Sequence, residues 1–148
     1  MPTSLIITIR RMLLGLLLIE MIGTAAELLF LEHFEDAWQV VPLALIGVAC
    51  LVLVWHGLRR SAGSIQALRI TMVAAIASAA IGLMLHYRGA AEFQLEIDRS
   101  QHGPSLWLKV LRAKTPPALA PGVMAHVGLL GLAYTYRHPS LTRKGEST

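Results

Sequence analysis

The chain has 148 residues, of which 55% are hydrophobic and 15% charged; soluble domains run about 45–50% apolar and about 25% charged. A mean hydropathy of +0.59 points the same way, toward a single domain in a membrane. The net charge of +4 and pI near 9.7 would suit a nucleic-acid binder, but the basic residues flank apolar runs and no basic nucleic-acid-reading motif occurs, so that class is set aside.

Four apolar runs approach the roughly 20 residues that cross a bilayer. In lipid only helices or closed barrels satisfy the backbone, and continuous runs of this length are helices. The first span covers about residues 12–31. Arg10 and Arg11 before it, and the small residues of "GTAAE", imitate a secretory signal. Glu20 would break the apolar part of such a signal, so the segment reads as a retained span. The chain then leaves the apolar phase through "EHFEDA", and Trp38 is an interfacial anchor for a second span over 38–58. Cys50 lies in "IGVACLVLVW", where a small buried apolar role is expected. As the only cysteine it excludes an internal disulfide, a CxxC redox centre and a thiolate-cluster metal site. His56, beside Trp55 and Arg59, reads as an anchor at the inner surface.

The third span covers 70–87 and is rich in small residues. Ala75, Ala79 and Gly82 form one small face and Ser78 with Gly82 another, which lets helix backbones approach closely in lipid. A loop over 88–117 follows. Its first part, "GAAEFQLEIDRSQHG", alternates Phe93, Leu95 and Ile97 as a short strand would, although Glu92 and Glu96 also fit one helix face. Its second part, "PSLWLKVLRAK", puts Leu106, Trp107, Val110 and Leu111 at helical spacing. That pattern predicts a short amphipathic helix, lying at the interface or capping the bundle. The fourth span covers 118–136, with Pro116, Pro117 and Pro121 at its entry and Gly128 and Gly131 as small contact positions.

Lysine and arginine placement sets the orientation. Arg10 and Arg11, the middle loop with Arg59, Arg60 and Arg69, and the tail with Arg137, Arg143 and Lys144 fall on one side. The acidic first loop carries no base. Both termini are therefore expected in the cytoplasm of a bacterial-type inner membrane, although Arg88, Arg99, Lys109, Arg112 and Lys114 fall in the outer loop. The expected fold is all-α: an integral membrane four-helix bundle, a single domain, with a short amphipathic helix in its third, outer loop.

One polar band stands out. Glu20, Thr24 and Glu27 are spaced i, i+4, i+7 and share a helix face, with Gly23 beside it. A charge at the bilayer centre costs about 2.5–3.5 kcal/mol on insertion scales, so this stripe is expected to face protein or water. At 1.5 Å rise per residue, Glu20 and His126 lie near the midplane, Glu27 roughly 8 Å outward and His86 roughly 11 Å outward. Glu27, His86 and His126 are thus expected to converge above Glu20. Three readings fit the band. In one, Glu20, Thr24, Glu27 and His126 form a hydrogen-bonded network that fixes register. In another, Glu27, His86, His126 and Glu20 hold a divalent metal, zinc, iron or manganese by ligand type, or copper with Met84 and Met124 nearby. In the third they relay protons or hold a polar substrate. A b-type haem would need two facing histidines, His86 with His126 or His56 with His138, and their loose spacing disfavours it.

Outside the membrane, His33, Glu35, Asp36, Glu92, Glu96, Asp98 and His102 are either a solvated face or an acidic mouth over Glu27. No nucleophile elbow, phosphate loop, dinucleotide fingerprint, HExxH or ExxH pair occurs, so catalysis is not expected. The leading expectation is a non-catalytic accessory or interaction subunit, working in the lipid bilayer with a partner membrane subunit or further copies of itself. The alternative is a metal-binding or proton- and ion-handling membrane protein built on the outer Glu/His cluster.

Overall fold

A computed structural model describes residues 3–113 and 121–142. Pro116, Pro117, the start of the fourth span at Ala118, and Lys114, Arg143 and Lys144 lie outside those residues. The described residues are helical and contain no strand. In chain order the helices are α1 (Thr3–Phe30), α2 (Ala37–Arg59), α3 (Ala62–Ile97), α4 (Gly103–Arg112), α5 (Gly122–Thr135) and the short α6 (Pro139–Thr142).

The acidic stretch after α1 is largely turn chemistry. Glu32 takes a left-handed conformation at φ 52°. Around it His33 N donates to Leu28 O at 2.8 Å and Glu32 N to Leu29 O at 3.1 Å, the paired bonds of a Schellman stop. Four residues later Asp36 starts α2. Its Oδ1 accepts from Trp38 N at 2.7 Å and Gln39 N at 3.0 Å, while Gln39 Oε1 accepts from Glu35 N at 2.8 Å. This is a reciprocal arrangement close to a capping box. Only Arg60 and Ser61 separate α2 from α3. Arg60 is left-handed and Ser61 Oγ accepts from Ser64 N at 3.2 Å. Such a tight connection makes α2 and α3 an antiparallel hairpin.

At about 1.5 Å per residue α3 is about 54 Å long, well beyond a hydrocarbon core of about 30 Å. The strand alternative for residues 93–97 is therefore corrected: Phe93, Leu95 and Ile97 continue α3, and the helix stops at Asp98. Asp98 collects Ser100 N, Ser100 Oγ and Gln101 Nε2 at 3.0, 2.6 and 3.1 Å, and these bonds, the Ser100 side chain's foremost, hold its carboxyl below the usual range. The expected amphipathic helix exists as α4. It folds back on the α3 extension, where Val110 and Ala90 are buried with Tyr87 and Leu106 around them.

Among the described residues two helices, α2 and α3, are long and apolar enough to cross a membrane. The α1 helix is longer than α2 but carries Arg10, Arg11, Glu20 and Glu27. The α5 helix is apolar and has 14 residues, which cover part of the fourth span expected over 118–136, whose first residues lie outside the described ones. Cys50 is also corrected: it is exposed. The face of α2 that packs runs through Ile46, Ala49 and His56, and Cys50 lies one helical step away from it.

The core is a continuous cluster joining Leu17 and Met21 of α1, Ile46 and Ala49 of α2, Leu68, Met72, Ala75 and Ala79 of α3, and Met124 and Val127 of α5. Packing is most extensive between α3 and α5, then between α2 and α3. The α1 helix rests on α5 and scarcely touches α2. The small residues explain the α3–α5 seam. A Cβ on Gly131 would strike the Met72 side chain, and one on Gly128 would come within 2.6 Å of the Met72 carbonyl oxygen. Gly82 meets Pro121, so a Cβ there would lie 2.8 Å from the proline ring.

The two glycines are expected to respond differently to alanine. Met72 is flexible at its tip, so Gly131→Ala is relieved by side-chain movement. Gly128→Ala presses on backbone and must shift a helix. Overpacking costs about 1–3 kcal/mol, against at most about 1 kcal/mol gained in helix propensity. Thermal unfolding in detergent should show the larger loss for Gly128→Ala. A Met72→Ala background should rescue Gly131→Ala and leave Gly128→Ala impaired.

Candidate functional site

The helix packing divides the expected polar band into two places. Glu20 and His126 are one of them: His126 Nδ1 lies 3.7 Å from Glu20 Oε1. The Glu20 side chain is 21% exposed, whereas the His126 side chain is 74% exposed and points away from the bundle. The reason is the phase of α5. Met124, Val127, Gly128 and Gly131 face α3 or the core, and His126 falls on the opposite side.

Thr24, Glu27 and His86 belong to the second place, a cleft of about 730 Å³ that also takes in His33, Asp36 and Trp38. Leu28, Leu45, Ile81 and Leu85 supply apolar wall, and Pro121, Val123 and Met124 close its base. Its lining comes from α1, α2 and α3, with the start of α5 at one edge. The His33 and His86 rings stand 6.1 Å apart in a tilted arrangement. His126 and Glu20 do not line this cleft. Among the described residues no group of three or more His, Cys, Asp or Glu side chains is placed to hold a metal ion. Of the wider acidic mouth, His33 and Asp36 stand over the cleft with Glu27, whereas Glu92 and Glu96 line a separate hollow with Leu95 and Arg99. The acid of Asp36 is already engaged in capping α2.

The opposite end of the bundle holds a polar knot that the sequence signals only through its histidines. His56 is buried, and its Nδ1 lies 2.7 Å from Ser64 Oγ. Ser64 Oγ itself donates to Ser61 O at 2.8 Å. A hydroxyl has one proton, so when Ser64 donates to Ser61 O it accepts from a His56 that carries its proton on Nδ1. The His138 ring meets His56 edge-on at 5.0 Å and Tyr134 at 5.4 Å. That contact leaves no room for an iron and its porphyrin between the two rings, so the inner pair does not suit a haem. His56 is also not the surface anchor expected of it.

Two arginines from neighbouring helices close the end of α5. Arg69 Nη2 donates to Thr135 O at 2.9 Å and its Nε to Thr135 Oγ1 at 3.3 Å. Arg10 Nη2 donates to Arg137 O at 2.6 Å and to Tyr136 O at 3.3 Å. The final carbonyls of a helix lack intrahelical donors and carry partial negative charge, so guanidinium groups satisfy both needs. These were orientation residues in the sequence; their second role as caps depends on which helices are neighbours.

Comparison with protein-family models, with curated proteins and with solved structures finds no match to this chain.

The knot makes stability depend on pH. Burial lowers the His138 pKa from 6.5 to about 4, helped by His56, Arg10 and Arg69 around it. His138 Nδ1 also lies 3.3 Å from Ser140 N, as an acceptor requires, which suits the neutral ring. Between the two pKa values the unfolded chain binds more protons than the folded one. The stability contributed by neutral His138 is therefore complete above the unfolded value and declines as pH falls from about 6.5 toward 4. Chemical denaturation in detergent across that range should show this slope, and His138→Asn should flatten it.

Proposed function

We propose that the chain is a small multi-pass inner-membrane protein with both termini in the cytoplasm, acting as a non-catalytic accessory subunit that docks on a partner membrane helix. Four helices, α1, α2, α3 and α5, form the bundle, and the partner lies against the α1–α5 face. Membrane residence is supported by the outward apolar surface. Met12, Ile19 and Ile22 of α1 and Leu51, Val54 and Leu58 of α2 are exposed, far more apolar area than a soluble monomer leaves open. The basic residues at the Arg10, Arg60 and Arg69 end support the orientation.

One observation carries the interaction reading: His126 projects from the middle of an apolar helix with 74% of its side chain uncovered. A polar ring facing hydrocarbon is unfavourable, and polar side chains in membrane helices characteristically bond across to a neighbouring helix. Glu20 beside it, 3.7 Å away, extends the polar face from α5 onto α1. A partner helix with a hydrogen-bonding side chain at that depth covers both.

Site-specific photo-crosslinking in native membranes tests this. A photoreactive residue at Leu129, exposed on α5, should give one discrete protein adduct, and one at Leu51 on α2 should give lipid adducts alone. His126→Leu should lower the Leu129 adduct about threefold or more, as expected for an interhelical hydrogen bond of roughly 0.6–1.7 kcal/mol. Lipid adducts alone at Leu129, or a yield indifferent to His126, would defeat the docking reading.

A further inference from the structure

We propose that the cleft between α1, α2 and α3 binds a lipophilic organic cation, with Glu27 as counter-ion. This site lies at a different level of the bundle from the Glu20–His126 docking surface, whose two polar residues do not line the cleft, and it does not depend on that surface. The cleft holds about 730 Å³, within the roughly 300–1,000 Å³ of small-molecule sites. Its walls are mostly apolar, as such sites require.

The polar groups set the sign of the ligand. Among the described residues, two carboxylates and no lysine or arginine line the cleft. Asp36 Oδ1 is held by Trp38 N and Gln39 N at the start of α2, so Asp36 is committed to the fold. The Glu27 side chain makes no hydrogen bond or ion pair with the described residues. It is thus a carboxylate on the cleft wall that none of the described residues bonds. The remaining ionisable groups are the His33 and His86 imidazoles at the mouth. Trp38 lines the same space with 59% of its surface exposed, presenting an indole face of the kind that attracts ammonium and phosphonium groups. A cation with an apolar body satisfies all three features: the body fills the wall, the charge meets Glu27 and the indole flanks it. Glu27 is exposed on the cleft wall, so a cation of this shape gains an attraction to it that a neutral molecule lacks and an anion reverses.

Equilibrium binding to the full chain in lipid nanodiscs tests the inference with two probes of equal shape and opposite charge. Tetraphenylphosphonium should bind saturably at one site per chain, and tetraphenylborate should only partition without saturation. Glu27→Gln should weaken phosphonium binding at least tenfold with little change in melting temperature, because the Glu27 side chain bonds none of the described residues. Ala77→Leu, which narrows the cleft from α3 and leaves every charge in place, should weaken it as well. Equal saturable binding of both ions would overturn the inference. So would unchanged phosphonium binding in Ala77→Leu, which decides the question even if Glu27→Gln fails to fold.

Discussion

The close approach of α3 and α5 governs the rest of the molecule. Gly128 and Gly131 leave no room for a Cβ against Met72, so the two helices meet at backbone distance. That contact fixes the rotation of α5. With its glycines turned to α3, His126 must face outward and Tyr134 must turn inward. The α1 helix then packs on α5 rather than on α2, which leaves the α1–α2 side open at the level of Glu27. Both the outward histidine and the cleft are consequences of one small-residue seam.

Charge is distributed to match. At one end, Arg69 caps the last carbonyl of α5 and Arg10 holds the Tyr136 and Arg137 carbonyls just after it, with His56, Ser64 and His138 in a knot beside them. At the other end, Asp36 is used for capping while Glu27 has no partner among the described residues. The asymmetry separates groups that stabilise the helix ends from one that faces an open cavity. That difference in local satisfaction makes Glu27 the strongest candidate for recognising something outside the chain.

Several features are legible in the sequence. The small positions Ala75, Ala79, Gly128 and Gly131 lie in helix contacts because only small side chains permit close backbones. The spacing of Leu106 and Val110 gave α4, since helical periodicity is visible locally. The alternation at Phe93, Leu95 and Ile97 misled toward a strand because period-two patterns also occur where a helix runs beyond its packed region. Cys50 and His56 were assigned opposite environments to those found, because hydropathy alone does not say which side of α2 meets α3.

Sequence by itself determined an all-helical chain, its turns, and the face shared by Glu20, Thr24 and Glu27, since these depend on apolar run length, local capping and helix period. Tertiary structure alone decided that this face meets His126 at one level and an open cleft at the next. Residues seven apart on one helix share a direction but not a neighbour. Which helix stands opposite each depends on where α5 begins and how the glycine seam rotates it.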